Sequence, residues 1–305
     1  MSLRKQALTG NVKDADLRLL RIFKVVVECR GFSAAEVELN ISRAAISMAI
    51  SDLELRLRQK LCQRGRGGFS LTQSGLEVYK AIIDLMKALE SFRSRVNCLQ
   101  KMLIGDFNIG ITDNLVTMPK MVITNSLSAL KLKGPEVKIN IRMIPPNEIE
   151  VAVLNESLHI GVIPVFKKIT GLNYMPLYEE RSQLYCAEGH PLFQKKKISR
   201  ISLNEHEVVA PVNIQSSQIM KHYCGLKIGA TATDREGIAF LILSGCYIGY
   251  LPEHYAERWV QKGKLSPVDL GNYIFKTYYF TIFRKAAISN LIIETFLQEL
   301  AYFNK

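Results

Sequence analysis

The stretch GFSAAEVELNISRAAISMAISDLELRLRQKLCQRGRGGFSLTQSG, residues 31–75, decides the fold. It reads as two short helices around a tight turn, followed by a helix tail and a hairpin rich in glycine and arginine. Ser33, with Glu36 three residues on, fits a capping box that closes the first turn of a helix. Asn40 marks where that helix stops, because asparagine tolerates the left-handed C-cap conformation. Ser42 is an N-cap for a second helix, in which Ile46, Ile50, Leu53 and Leu57 recur at helical spacing and face a core. Arg43, Ala44, Ser47, Met48 and Ser51 are left pointing outward on a slim face. So little bulk suits entry into a DNA major groove. An alanine-rich surface helix of a small bundle has the same pattern.

Arg64-Gly65-Arg66-Gly67-Gly68-Phe69 reads as a turn between Lys60–Gln63 and Ser70–Thr72, the shape of a two-stranded wing. Arginines on such a tip can enter a minor groove or hold phosphate. The glycines do not make a nucleotide-binding loop, since no Lys-Ser or Lys-Thr closes them.

Together these residues resemble the DNA-binding end of the LysR-type transcriptional regulators, a bacterial family. The matching positions are Leu19 and Phe23, Gly31-Phe32-Ser33, Ala34-Ala35, Leu39, Ser42, Ser47, Leu53-Glu54, Leu61-Cys62-Gln63-Arg64 and Leu71-Thr72-Gln73-Ser74-Gly75. The resemblance implies a DNA-contacting set of Ser33, Ser42, Arg43, Ala44, Ser47, Met48, Ser51, Arg64, Arg66 and Thr72. Arg43 stands where the family most often has glutamine, and Met48 where a polar residue is common. The preferred DNA sequence therefore does not carry over.

Charge agrees with a polyanion partner. Of a formal net charge of +12, residues 1–104 carry +8, from 18 Lys and Arg against 10 Asp and Glu. Clustered positive charge is the electrostatic footprint of nucleic-acid binding. The chain has length for two or three domains. It has no apolar run long enough for a membrane span and no signal-peptide core at its start, so a cytoplasmic location is expected. Six scattered cysteines without a C-x-x-C read as small buried apolar residues, and the five histidines lack metal-ligand spacing. Neither a metal nor another cofactor is expected.

After Gly75, Val78, Ile82, Leu85, Leu89, Phe92, Val96, Leu99 and Leu103 recur at alternating spacings of four and three. That heptad stripe predicts a helix of roughly 40 Å whose narrow seam pairs two chains. The family resemblance implies the same pairing, and a tetramer built as a dimer of dimers.

From Asp106 the pattern changes to alternating strands and helices, which implies parallel sheets covered by helices. Strands are predicted at 107–111, 137–144, 158–163, 174–177, 181–187, 208–212, 227–230, 247–251 and 278–284. Helices are predicted over 116–131, 148–155, 216–224, 234–244, 253–262 and 289–303. The expected class is α/β: a winged helix-turn-helix at 1–74, a linker helix at 75–104, and a two-lobed domain at 105–305. Lobe I takes 105–163 and the C-terminal helix to 305, and lobe II 164–285. This half resembles the family's effector domain, which has the fold of periplasmic solute-binding proteins, through Gly105, Ile109-Gly110, Pro176-Leu177-Tyr178-Glu179, His190-Pro191-Leu192, Gly245, Ile248-Gly249 and Leu251-Pro252.

A ligand in such a fold sits at strand ends between the lobes. The candidate residues are Thr112, Asp113, Asn114, Pro146, Pro164, Asn213, Thr231 and Thr233. Asp113 would repel an acidic ligand unless it caps the helix that follows. His190 lies in a polar stretch running to Lys195-Lys196-Lys197 with no accompanying nucleophile motif, so an exposed loop is expected there and catalysis is not. The resulting expectation is a regulator with three kinds of partner: double-stranded DNA at a promoter, a small-molecule effector, and itself. RNA polymerase is a further expected partner. The competing readings are a small-molecule-binding protein or enzyme on the two-lobed fold, and a ligand-independent DNA-organising protein.

Overall fold

The computed structural model describes residues 12–63, 68–99, 102–195, 198, 203–212, 216–268, 273–285 and 290–305. The chain forms two compact units that divide between Arg93 and Ser94.

The first unit is built from α1 (Asp14–Glu28), α2 (Phe32–Leu39), α3 (Arg43–Leu57), β1 (Cys62–Gln63), β2 (Ser70–Leu71) and the start of α4 (Gln73–Leu99). Phe23, Val26, Ala35, Ile46, Ile50, Leu53 and Leu61 fill its core, with Leu57 partly buried beside them. The helical spacing read in α3 therefore holds. Asn40 is left-handed (φ 52°, ψ 40°) at the end of α2, and the Ser42 hydroxyl accepts from the Ala45 N–H at the start of α3. The capping box does not form. Gly31 takes the N-cap position, so Ser33 lies inside the first turn, while Glu36 accepts instead from the Arg43 N–H at 3.0 Å. Glu36 thus fastens α2 to α3. An ion pair from Arg56 to Asp16 at 2.7 Å ties α3 to α1. β1 and β2 pair antiparallel, Cys62 with Leu71 and Gln63 with Ser70. A side chain at Gly75 would collide with the Leu61 carbonyl, so glycine lets α4 cross the base of the wing.

The heptad stripe splits along α4. Ile82 is buried in the first unit's own core, with Val78 and Met86 packed beside it. Leu89, Phe92 and Val96 remain exposed. Val78 and Ile82 thus pack within the chain. Leu103 lies beyond the helix and packs against the core of the second unit.

The second unit is one mixed sheet with helices on its faces. Its strands are β3 (Gly105–Ile111), β4 (Val137–Met143), β5 (Ile160–Pro164), β6 (Leu172–Ala187), β7 (Glu207–Pro211), β8 (Lys227–Ala232), β9 (Ile248–Pro252), β10 (Leu265–Pro267) and β11 (Ile274–Arg284). Their order is β4-β3-β5-β11-β6-β9-β7-β8, with β10 beside β6. β4-β3-β5 form the parallel sheet of lobe I, and β9-β7-β8 that of lobe II. The long strands β6 and β11 run antiparallel between them and belong to both lobes. What reads in the sequence as two strands, 174–177 and 181–187, is the single strand β6. Leu172, Val165, Ile169 and Tyr174 pack in a lobe I core. Leu177 and Tyr178 join another. Residues 165–178 thus pack with the cores of lobe I. The β6–β11 register slips between Tyr279 and Phe280, leaving Leu177 as an extra residue on β6.

The helices are α5 (Val122–Lys133), α6 (Pro146–Leu154), α7 (Ser217–Tyr223), α8 (Arg235–Leu243), α9 (Glu253–Val260) and α10 (Leu291–Phe303). The helix expected over 116–131 is broken: a short 3-10 turn at Leu115–Thr117 precedes α5, because Pro119 cannot continue it. Among the described residues, no helix is long and apolar enough to cross a membrane.

Candidate functional sites

On the first unit, α3 presents Arg43, Ala44, Met48 and Ser51 to solvent, with Ser47 half-buried and Met48 68% exposed. The Ser51 hydroxyl donates to the Ser47 carbonyl at 2.9 Å, which keeps it on its own helix. Thr72 is likewise engaged: its hydroxyl donates to the Lys60 carbonyl at 2.6 Å and accepts from the Gly75 N–H at 2.9 Å. It closes the wing onto α4. Arg64 and Arg66 lie outside the described residues. Behind α3, Glu54 is buried and accepts from the Leu61 and Cys62 amides at 2.9 and 3.3 Å, with Lys60 Nζ at 2.8 Å. Burial pushes the Glu54 carboxyl up, but Lys60 and the two amides outweigh it and hold it below its ordinary value. α3 and the first strand of the wing are therefore held together by this carboxylate.

On the second unit, a closed circuit of polar side chains joins the lobes. It starts at the end of β3. Thr112 gives both its N–H and its hydroxyl to the Val162 carbonyl, so it locks β3 to β5 and offers no free donor. Asp113 follows, and its Oδ2 accepts from the backbone N–H of Arg235 at 2.7 Å and from Asn114 at 3.2 Å. Asp113 does cap a helix, but the helix is α8 of the opposite lobe and not the one that follows it. Asn114 is left-handed (φ 68°), and its carbonyl accepts from the Thr117 hydroxyl at 2.9 Å. Thr117 Oγ1 lies 2.7 Å from His254 Nδ1, and His254 Nε2 lies 3.3 Å from Glu180 Oε2. The Tyr279 hydroxyl donates to Glu180 Oε1 at 3.3 Å, and Arg235 Nη2 stands 3.7 Å from the same oxygen. Arg235 Nη1, 3.9 Å from Asp113 Oδ1, closes the loop.

Burial pulls the Arg235 pKa down, but Tyr279, Glu180, Asp113 and Tyr223 together raise it above its usual value. The guanidinium is a fixed cation held by two carboxylates. Burial raises the Tyr223, Tyr250 and Tyr279 hydroxyls, so all three stay protonated donors. The Tyr250 hydroxyl is buried without a hydrogen-bond partner. Its ring packs 5.2 Å from Tyr223. The Arg235 guanidinium, its two carboxylates and the Tyr279 hydroxyl thus converge where the lobes meet, an arrangement suited to holding a small polar molecule.

Of the residues expected here, Asp113 and Asn114 are in the circuit, and Pro164 lies opposite Tyr279 in the sheet. Thr233 is exposed and donates to Asp234, the N-cap of α8, while Thr231 is exposed on β8. Pro146 opens α6. Asn213 lies outside the described residues. Arg235, Glu180, His254 and Tyr279 were not read from the sequence. One signal was available: Glu180 shares the alternation of Tyr178 and Ser182 on β6, which marks a carboxylate on an inward face.

Two further expectations change. His190 is buried rather than on an exposed loop, its Nδ1 accepting from the Leu192 N–H and its ring 4.8 Å from His206. Among the cysteines, Cys62 and Cys186 are buried, whereas Cys224 and Cys246 are exposed.

A slim helix beside a wing, joined through a long helix to a two-lobed α/β unit, defines a class of DNA-binding transcription regulators. Residues 17–76 match the bacterial regulatory helix-turn-helix proteins of the lysR family, and residues 103–303 match the LysR substrate binding domain. The chain is 50% identical over 295 residues to the HTH-type transcriptional activator BauR of Pseudomonas aeruginosa, covering 96% of each. It is 24% identical over 215 residues to the HTH-type transcriptional regulator YtlI of Bacillus subtilis, covering 69% of this chain and 68% of that one. The crystal structure of full-length CbnR complexed with its target DNA superposes with a TM-score of 0.67 at 18% identity, over 94% of this chain and 99% of that one, a likeness of fold. The chain belongs to the LysR family of transcription regulators.

Proposed function

We propose that this LysR-family regulator activates transcription under the control of a small molecule held around Arg235, where the two lobes meet. The supporting observation is the circuit from Asp113 through His254 and Glu180 to Arg235, which couples both lobes to one partly buried cation. A ligand that rearranges it favours one lobe angle over another, and control requires such differential affinity. Arg43, Ala44, Ser47 and Met48 on α3 read the major groove of double-stranded promoter DNA, with Ser33, Ser42, Ser51 and Thr72 framing that face. The wing arginines, Arg64 and Arg66, hold the flanking backbone or minor groove. Leu89, Phe92 and Val96, exposed on α4, pair two chains, and two such pairs make a tetramer. An activator of this kind works in the cytoplasm beside RNA polymerase, as a switch rather than a catalyst. The likeness to BauR, whose name describes an activator, supports the direction of control.

Genome-wide occupancy tests the DNA half of this reading. A few palindromic promoter sites are expected, and diffuse coverage would sink specific control. A metabolite thermal-shift screen on the full chain tests the other half, because a ligand stabilises the fold that binds it. Stabilisation lost on Arg235→Gln is expected, and stabilisation indifferent to that change would count against the cleft. Phe92→Glu should give monomers by light scattering, and a variant still dimeric would remove α4 as the pairing element.

A further inference from the structure

The position of Asp113 says more about the ligand, granted the cleft reading above. The first turn of a helix offers unpaired N–H groups and attracts negative charge. In α8 the N-cap Asp234 satisfies the Gly237 N–H at 2.7 Å, and the Arg235 N–H is satisfied by Asp113 from the other lobe at 2.7 Å. The carboxylate of Asp113 also faces the Arg235 guanidinium at 3.9 Å. It therefore occupies the kind of seat in which an amide and a guanidinium together recognise a carboxylate.

The two carboxylates on Arg235 are not equally replaceable. The Glu180 side chain is 1% exposed and held by Tyr279 and His254, whereas the Asp113 side chain is 34% exposed. Asp113 also sits on a loop whose next residue is left-handed. Asp113 can swing out into water, and Glu180 cannot. A further unmatched group lies in the core of the lobe that carries Arg235. The buried Tyr250 hydroxyl has no partner, and it adjoins Tyr223, whose own hydroxyl feels the Arg235 charge. A buried polar atom left unmatched costs free energy that a ligand's polar group can recover.

We propose that Asp113 is a built-in stand-in for the effector's own carboxylate. The effector is a small monocarboxylate that takes the place of Asp113 on the Arg235 amide and guanidinium, and so frees lobe I from α8. One carboxylate leaves as another enters, which keeps the charge around Arg235 constant. A dicarboxylate would place an additional negative charge beside Glu180.

The test needs no knowledge of the natural effector. Full-length protein is melted in increasing sodium acetate, with sodium chloride at equal ionic strength as the reference. Asp113→Asn removes the internal competitor, so acetate should stabilise it at a concentration about tenfold lower than wild type, a response that Arg235→Gln abolishes. Asp113→Ser also removes the carboxylate and must behave alike, and it carries the test if the asparagine variant does not fold. Equal acetate midpoints in wild type and Asp113→Asn, or no response in either Asp113 variant, would overturn the exchange. A response that survives Arg235→Gln would place the anion elsewhere and remove the cleft reading itself. A response abolished by Arg235→Gln but equal in wild type and Asp113→Asn would remove only the exchange.

Discussion

Glu54 and Glu180 are both carboxylates buried to within 5% and 1% exposure, yet they are held in opposite ways. Glu54 closes on Lys60, Leu61 and Cys62, all within eight residues of it along the chain. Glu180 is held by His254 and Tyr279, which are 74 and 99 residues away, and by Arg235. A carboxylate satisfied by its own neighbourhood fixes one shape, since its partners fold with it. One satisfied by three separate elements sits where those elements can part. The first arrangement suits a surface that must present DNA with a constant outline, and the second a joint that must move.

The contrast can be broken most directly at Glu54. Glu54→Ala leaves two buried amides unpaired and should destabilise the winged module by about 3 kcal/mol. The expected readout is a helical transition at lower temperature, by circular dichroism, together with lost DNA binding. Unaltered melting would mean that the wing does not depend on this carboxylate. Glu180→Gln keeps the shape but removes a charge from Arg235, and should cost the second unit about 2 kcal/mol. Trp259, the single tryptophan of the chain, lies on α9 and reports that unit by fluorescence. A variant that melts like wild type by this signal would show Glu180 to be dispensable to the joint.

Acid should separate the two units. Burial first, then the charges of His206 and Lys195, push the His190 pKa down to about 4. Between that value and its ordinary 6.5 the unfolded chain binds a proton that the folded chain refuses. The second unit therefore loses stability as pH falls from 6.5 to about 4, with no further loss from this group below that. Glu54 behaves differently. Its folded pKa lies below the ordinary 4.5, so its contribution is intact above 4.5 and disappears only as pH falls through the lower folded value. Trp259 fluorescence should report weakening from pH 6.5 downward, and His190→Asn should flatten that slope. An unchanged slope would rule His190 out as its source. The smallest effect is expected at Arg43. Arg43→Ala should cost about 1 kcal/mol at one base position if Arg43 reads a base, and equal loss on random DNA would refute that role.

What the sequence made legible follows the same division. Asn40 and Ser42 could be placed because caps are decided by residues three or four apart. The local rule failed at Ser33: Gly31 took the cap, and Glu36, seven residues from its partner Arg43, served the next helix instead. Leu103 continues a heptad in the sequence but lies past the end of α4, because periodicity does not say where a helix stops being solvated. The strand-end loop at Asp113 was found because topology places ligands there. Its partners were not, since Arg235 lies 122 residues away and no local pattern links them. Long-range charge pairing depends on the closed sheet, and a single sequence holds no period that encodes it.

The extra residue Leu177 on β6 acts on parity. In a regular strand, faces alternate strictly, but Leu177 and Tyr178 are both buried, so the alternation skips one beat and resumes as Tyr178, Glu180, Ser182. Everything before Leu177 obeys one phase and everything after it the other. A strand one residue shorter would turn Glu180 to the opposite face while Tyr279 stayed where it is. His254 would lose its acceptor, and Arg235 would keep only Asp113. The joint between the lobes thus rests on an odd number, a single unpaired residue that sets which side of the sheet the charge is on.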